Sequence, residues 1–214
     1  MKDTNYDRHY FFTFCFHTFA GKYVSFESIS KEEFLCDITD EYASYRKCSC
    51  YTDDPDSVAN PMQLVCSRKG TTEFPKEITS SLKSLYFDGN NLTVFNGNSS
   101  LTVSNLGVMF LNSRNITVLA SLAFASFTKL KIIYLQDNML FRILSGTFDK
   151  LYHLSGLNLY QTLISNIDVY AFNSLYVLKY LLLHGNALEE LSRYHLQEIG
   201  ALKELEALTL YDHP

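Results

Sequence analysis

No stretch of this 214-residue chain stays apolar for the ~18–20 residues that a bilayer crossing takes, so no membrane span is expected within it. Positive charge is in short supply: 18 Lys and Arg against 23 Asp and Glu leave a formal net charge of −5. No basic cluster with interleaved aromatics occurs, which argues against nucleic acid as a partner. Catalytic signatures are missing too. The histidines (His9, His17, His153, His184, His195 and His213) are scattered, and there is no H-E-x-x-H, G-x-S-x-G, Gly-rich phosphate loop or spaced Cys/His set. Glu189-Glu190 reads as a solvated turn just past a strand. The chain is therefore not expected to be an enzyme, and nothing implies a cofactor or a catalytic metal. Cysteine is absent after Cys66.

What is present is a repeat. In Leu130–Leu154, LKIIYLQDNMLFRILSGTFDKLYHL, apolar residues fall at Leu130, Ile133, Leu135, Leu140, Ile143, Phe148 and Leu151. With Leu130 as position one, Asn138 stands at position nine. This is the spacing L-x-x-L-x-L-x-x-N-x-L of leucine-rich repeats, whose period is ~20–29 residues. Positions four and six are two apart, so on a short strand they share one face while Ile132, Tyr134 and Gln136 take the other. Asn at position nine can satisfy backbone groups of the turn that follows.

The template fits again at each shift of 24: Leu82, Leu106, Leu130, Leu154 and Leu178, then a step of 27 to Leu205. Position four reads Leu85, Met109, Ile133, Leu157, Leu181 and Leu208, and position six reads Phe87, Leu111, Leu135, Leu159, Leu183 and Leu210. A Phe row at position nineteen, Phe124, Phe148 and Phe172, continues as Leu196 in the fifth repeat and Ser100 in the first. Position nine is less regular: Asn90, Arg114, Asn138, Thr162, Asn186 and His213. Where it is not Asn, another group must serve the turn. The fold class expected is a right-handed α/β solenoid. A short parallel sheet lines its concave side, irregular or short helical segments lie on the convex side, and a disulfide cap closes the N-terminal end.

Three segments follow: an unassigned leader or truncated upstream stretch at 1–35, a cysteine-rich cap at 36–81, and repeats at 82–214. In the first, Tyr10–Ala20 is an apolar run ending in a small residue, as in a signal peptide. Asp3, Asp7 and His17 argue instead for an incomplete upstream segment, and Cys15 is left over. In the second, Cys36, Cys48, Cys50 and Cys66 stand where a solenoid exposes the end of its core, and cross-links can hold a short cap over it. Three pairings are open among four cysteines. Zinc is the competing reading, disfavoured because its sites prefer C-x₂₋₄-C pairs and no His lies in this window. Asp53, Asp54 and Asp56 lack the alternation and closing Glu of a calcium loop and read as solvated.

Candidate sites follow from the template. Sequons occur at Asn91, Asn98 and Asn115, at positions outside the strand where a sugar fits. The expected binding face pairs position five (Tyr86, Phe110, Tyr134, Asn158, Leu182, Thr209) with position seven (Asp88, Asn112, Gln136, Tyr160, His184, Tyr211). With strands ~4.8 Å apart, these rows span ~25 Å. Aromatics among polar neighbours suit protein recognition, and the same rings can also simply stabilise the sheet by cross-strand pairing.

KCSCYTDD (47–54), VCSRKGTTEFP (65–75) and LYFDGNNL (85–92) resemble the cysteine-rich N-terminal cap and first repeat of Toll and Toll-like receptor ectodomains, in particular their short membrane-proximal block. FLC at 34–36 is similar to the tail of the preceding block, which would remove Cys36 from the cap, and the dense cysteines that the family has between FLC and C-x-C are absent. The resemblance covers 34–214. It implies a fragment of a cell-surface receptor acting in signal transduction in innate immunity or development. The full chain would add a C-terminal cap, one transmembrane helix and a cytoplasmic domain. It further implies a protein ligand of the cystine-knot cytokine kind, receptor dimerisation, and residence on the extracellular face of the plasma membrane. The alternative is a secreted leucine-rich matrix, inhibitor or adhesion protein.

Overall fold

The computed structural model describes residues 33–35, 48–51, 62–74, 81–97 and 105–211, all within the unit Lys31–Pro214. The expectations about Tyr10–Ala20, Cys15, Cys36, Asp53, Asp54, Asp56, Asn98, Ser100 and His213 lie outside the described residues, as does the side chain of Cys50.

One nine-stranded sheet organises these residues. It begins with β1 (Glu33–Leu35) and β2 (Ser49–Tyr51), paired antiparallel, and β2 is also antiparallel to β3 (Gln63–Val65). From β3 onward every neighbour is parallel: β4 (Ser84–Tyr86), β6 (Val108–Phe110), β8 (Ile132–Tyr134), β10 (Gly156–Asn158), β12 (Tyr180–Leu182) and β13 (Ala207–Thr209). Across this ladder Leu64, Leu85, Met109, Ile133, Leu157, Leu181 and Leu208 stand opposite one another, which is the position-four row of the repeat. The parallel ladder thus starts at β3, inside the segment expected to be only a cap.

Period-two alternation sends positions four and six inward. Leu85, Met109, Ile133, Leu157 and Leu181 are wholly buried, as are Leu111, Leu135, Leu159 and Leu183. Each such side chain contributes on the order of 1.5–3 kcal/mol by leaving water. In the last coil the neighbours lie on one side only, and Leu205 and Leu208 are half-buried while Leu210 is exposed.

The return side of each coil is built from turns and very short strands. β5 (Val94–Phe95) pairs with β7 (Val118–Leu119), and β9 (Arg142–Ile143) with β11 (Asn166–Ile167), all parallel. Inside, a Phe stack runs along the coils. Phe124, Phe148 and Phe172 follow one another at 5.7 and 6.2 Å, and Phe95 meets Phe124 at 4.7 Å. Phe74 closes the stack at the cap, 4.9 Å from Phe95 and 5.4 Å from Phe87. Leu196 does not extend the row as expected: it is 56% exposed, and Ile199, 7% exposed, takes the place. The fifth repeat is three residues longer (27 against 24), so the row must be counted back from Leu205 rather than forward from Leu178. Those extra residues precede α1 (Arg193–Gly200), which Ser192 caps by accepting from the His195 backbone N–H.

Candidate recognition face of the main sheet

An asparagine ladder stiffens the chain where each strand ends. Asn138 Nδ2 donates to the carbonyls of Leu111 (2.9 Å) and Leu135 (2.7 Å), while its Oδ1 accepts from the Ile116 N–H (3.1 Å) and the Ser113 hydroxyl (2.8 Å). Asn90 and Asn186 repeat the arrangement, joining their own strand end to the coil before. The irregular coils are repaired by other groups. Thr162 Oγ1 lies 3.0 Å from the Leu159 carbonyl and 2.9 Å from Asn186 Oδ1, and its one hydroxyl proton serves either acceptor. In coil two the turn slips by one residue: Ser113, at position eight, is the buried partner of Asn138, and exposed Arg114 takes the left-handed conformation (φ 61°) that Gly89, Asp137, Gln161 and Gly185 take at position eight elsewhere.

On this frame the outward rows become two columns of stacked rings. Tyr86, Phe110 and Tyr134, at position five, stack at 4.6 Å each with interplanar angles of 8° and 5°. Tyr160, His184 and Tyr211, at position seven, stack at 4.2 and 4.6 Å. The column therefore changes row between β8 and β10, where Asn158 replaces an aromatic. His184 Nδ1 also shares a proton with Thr209 Oγ1 at 2.7 Å.

Exposure separates the two rows. Phe110, Tyr134, Asn158 and Leu182 of position five are buried, with Tyr86 and Thr209 half-buried. At position seven His184 is buried, Asp88, Asn112, Gln136 and Tyr160 are half-buried, and Tyr211 is 55% exposed. Rings stacked on adjacent strands cover one another's faces, so the surface available for contact is the position-seven row apart from buried His184, with the two half-buried ends of position five. Within it, Asn112 Oδ1 and Gln136 Oε1 have no hydrogen-bond partner among the described residues, and beneath it the buried Asn158 Nδ2 has none either. Asn158 uses its other amide atom, accepting from the Tyr160 N–H at 3.0 Å.

Charge on this face is modest. Burial pushes the Asp88 carboxyl above its ordinary range, opposed by a 2.7 Å hydrogen bond from the Ser67 hydroxyl. Burial also raises Asp137, opposed by Arg114. On the return side, Glu198 of α1 accepts from the backbone N–H of Tyr170 (3.0 Å) and of Phe172 (2.6 Å), clamping the helix to the coil before it. Near it a cleft of about 410 Å³ is lined by Asn166, Ile167, Glu189, Glu190, Ser192 and His195 among others. Among the described residues no three His, Cys, Asp or Glu side chains stand together as a metal would need. No described helix is long and apolar enough to cross a membrane.

At the cap, Cys48 and Cys66 form a disulfide, resolving one of the three open pairings, and both are buried. Cys66 follows β3 and lies 24 residues before Asn90, whose Nδ2 bonds its carbonyl, so the bridge ties the cap to the ladder. Sequence reasoning missed that β3 forms a coil. The signal was there in Leu64 and Cys66, two apart like Leu85 and Phe87, but the step to the next coil is 21 rather than 24 and the template does not register it. The sequons diverge: Asn91 is exposed, whereas Asn115 is half-buried with its amide nitrogen bonded to the carbonyls of Asn90 (2.8 Å) and Ser113 (3.2 Å).

No protein-family model matches the chain, and no curated protein matches it. Solved structures do. A leucine-rich-repeat protein of Leptospira interrogans superposes with a TM-score of 0.50 at 22% identity, over 70% of this chain and 42% of that one. The fold is a leucine-rich-repeat solenoid. An internalin (inlF) of Listeria monocytogenes matches at 18% identity and a TM-score of 0.46, covering 67% of this chain and 39% of its own. TLR13, in its complex with ssRNA13, matches at 24% identity and a TM-score of 0.48, covering 59% and 17%. The leucine-rich-repeat chain described here spans less than half the length of each.

Proposed function

We propose that this leucine-rich-repeat chain is the extracellular recognition part of a Toll-like cell-surface receptor, binding a protein ligand and contributing to receptor pairing for signal transduction. The reading is supported by the cap and first-repeat motifs, by a buried disulfide of the kind that oxidising compartments sustain, and by the sheet face. The face carries the argument. Tyr160 and Tyr211 present rigid amphipathic rings on the same face as two half-buried amide groups, Asn112 and Gln136, whose carbonyl oxygens lack partners among the described residues, on the consecutive coils of β6 and β8. Each unmet atom costs roughly 1–3 kcal/mol until something meets it, and a protein surface offers both donors and acceptors. A protein of the cystine-knot cytokine kind is the ligand that the resemblance implies.

The test has two arms. Sequencing the transcript upstream of Met1 and beyond codon 214 should reveal a C-terminal cysteine cap, a membrane span and a cytoplasmic signalling domain. A cap followed by a stop would overturn the receptor in favour of a secreted matrix, inhibitor or adhesion protein. For the face, the chain is immobilised and a cystine-knot cytokine passed over it: binding that weakens about tenfold or more in Tyr160→Ala and Tyr211→Ala supports the proposal, while binding that ignores both removes the face from the site.

A further inference from the structure

We infer that the two described sequons are not equivalent: Asn91 carries the N-glycan of the folded protein, whereas Asn115 is a structural amide that folded molecules keep bare. Both are N-x-T at position ten of successive coils, so the sequence treats them alike. The difference arises one residue earlier. Position nine is Asn90 in coil one and Arg114 in coil two, and the slip that puts Arg114 in the left-handed turn leaves that coil without a ladder asparagine.

Asn115 fills part of the gap. Its Nδ2 donates to the Asn90 carbonyl at 2.8 Å, across 25 residues, and to the Ser113 carbonyl at 3.2 Å. A primary amide has two hydrogens, and here both are committed. Glycosylation forms a bond from Nδ2 to sugar C1, breaks the bond from C1 to the lipid-linked pyrophosphate, and takes one Nδ2 hydrogen away as a proton. One of the two hydrogen bonds then cannot be made, and a bulky group must enter a half-buried position. The sequon hydroxyl is engaged as well, since Thr117 Oγ1 donates to the Thr93 carbonyl at 3.2 Å. Asn91 has none of these ties. It is exposed, Thr93 is exposed, and the Asn91 side-chain amide makes no hydrogen bond among the described residues, its one tie being the backbone N–H that donates to the Thr71 carbonyl.

Oligosaccharide transfer acts on nascent chain, before either environment exists, so folding does the sorting: chains glycosylated at Asn115 fail to seat coil two and stay behind. The inference rests on the extracellular reading only for its occurrence in nature. The experiment separates the two by fusing a cleavable signal peptide to the full chain, which forces entry into the secretory pathway, with Asn98→Gln present throughout.

Site occupancy is read by mass spectrometry after enzymatic deglycosylation in heavy-oxygen water, in the secreted pool and in the retained pool. Where secretion is low, the protease-resistant product of microsomal translation serves as the folded pool. Expected are near-complete occupancy of Asn91 and below about one-tenth occupancy of Asn115 in folded molecules, with any Asn115 glycan concentrated in the retained pool. Thr93→Ala should abolish the glycan of folded molecules. Thr117→Ala, which destroys the second sequon but keeps the Asn115 amide, should leave the glycan mass of folded molecules unchanged and raise their yield by the share otherwise retained with an Asn115 glycan, whereas Asn115→Gln should lower yield several-fold without loss of glycan. Folded molecules occupied at Asn115, or bare at Asn91, would overturn the inference. A chain glycosylated only when the leader is fused would count against the extracellular reading alone.

Discussion

Asn138 shows how much a single side chain decides. Its amide meets four partners from two coils: two carbonyls where strands end, and the Ile116 N–H and Ser113 hydroxyl in the turn of the coil before. Removing it leaves buried carbonyls and N–H groups with nothing to bond, at roughly 1–3 kcal/mol apiece. Asn138→Ala should therefore lower the unfolding free energy by at least about 3 kcal/mol in urea titration, and a loss under about 1 kcal/mol would show that water replaces the ladder. The role of Asn138 was legible from its place in the repeat. That of Ser113 was not, because a one-residue slip of the turn is set by which residue takes positive φ, and Arg114 carries no sign that it will. Gly97 is the reverse case: its φ of 64° and the Ala123 carbonyl standing where a Cβ would sit make any side chain strained there, though no motif marks it.

Among elements, the strands β4, β6 and β8 carry stacked rings that serve stability more than contact. Tyr134 is 8% exposed and stacks on Phe110, whereas Tyr160 is half-buried at a different position of the repeat. Tyr134→Ala should cost about 3–5 kcal/mol by leaving a cavity and losing a ring pair, and Tyr160→Ala clearly less. Thermal unfolding of the two variants checks the order, and equal losses would mean that the two rows are equally buried. Alternation along one strand is local, so the sequence could put both tyrosines on the side opposite the position-four row. It could not tell the buried row from the accessible one, because cover depends on which neighbours stack. The same limit explains α1. Its inward residue is Ile199 rather than Leu196, because the three-residue insertion before it resets the count.

At the scale of the whole molecule, the disulfide and the titrating groups set stability together. Replacing Cys48 and Cys66 by Ala should cost about 2–5 kcal/mol and, in a chain of coils that each lean on neighbours, melt the N-terminal coils first. Hydrogen exchange that rises evenly along the ladder would contradict this. Acid acts with mixed sign. Burial raises Asp88, Asp137 and Glu198, so each binds its proton more tightly folded than unfolded, and stability grows as pH falls through the folded values toward the unfolded ones. Asp168 differs: burial pushes it up, but hydrogen bonds from Arg142 and the Ser145 N–H more than offset that and lower it, so its contribution holds above the unfolded value and is lost as pH falls through the folded one. The urea midpoint should thus rise on mild acidification from neutrality and fall again below the ordinary aspartate range, and a monotonic decline would refute the upward shifts.

By itself the sequence determined the coil, its period, the inward rows and the outward rows, because these follow from alternation along one strand and repetition between strands, and both are local. Tertiary structure alone decided the rest. It determined which cysteines of the cap meet, which carbonyl the Asn115 amide reaches, where β3 begins the ladder, and which outward rings are covered. Each of those depends on what the next coil brings to within a few ångströms.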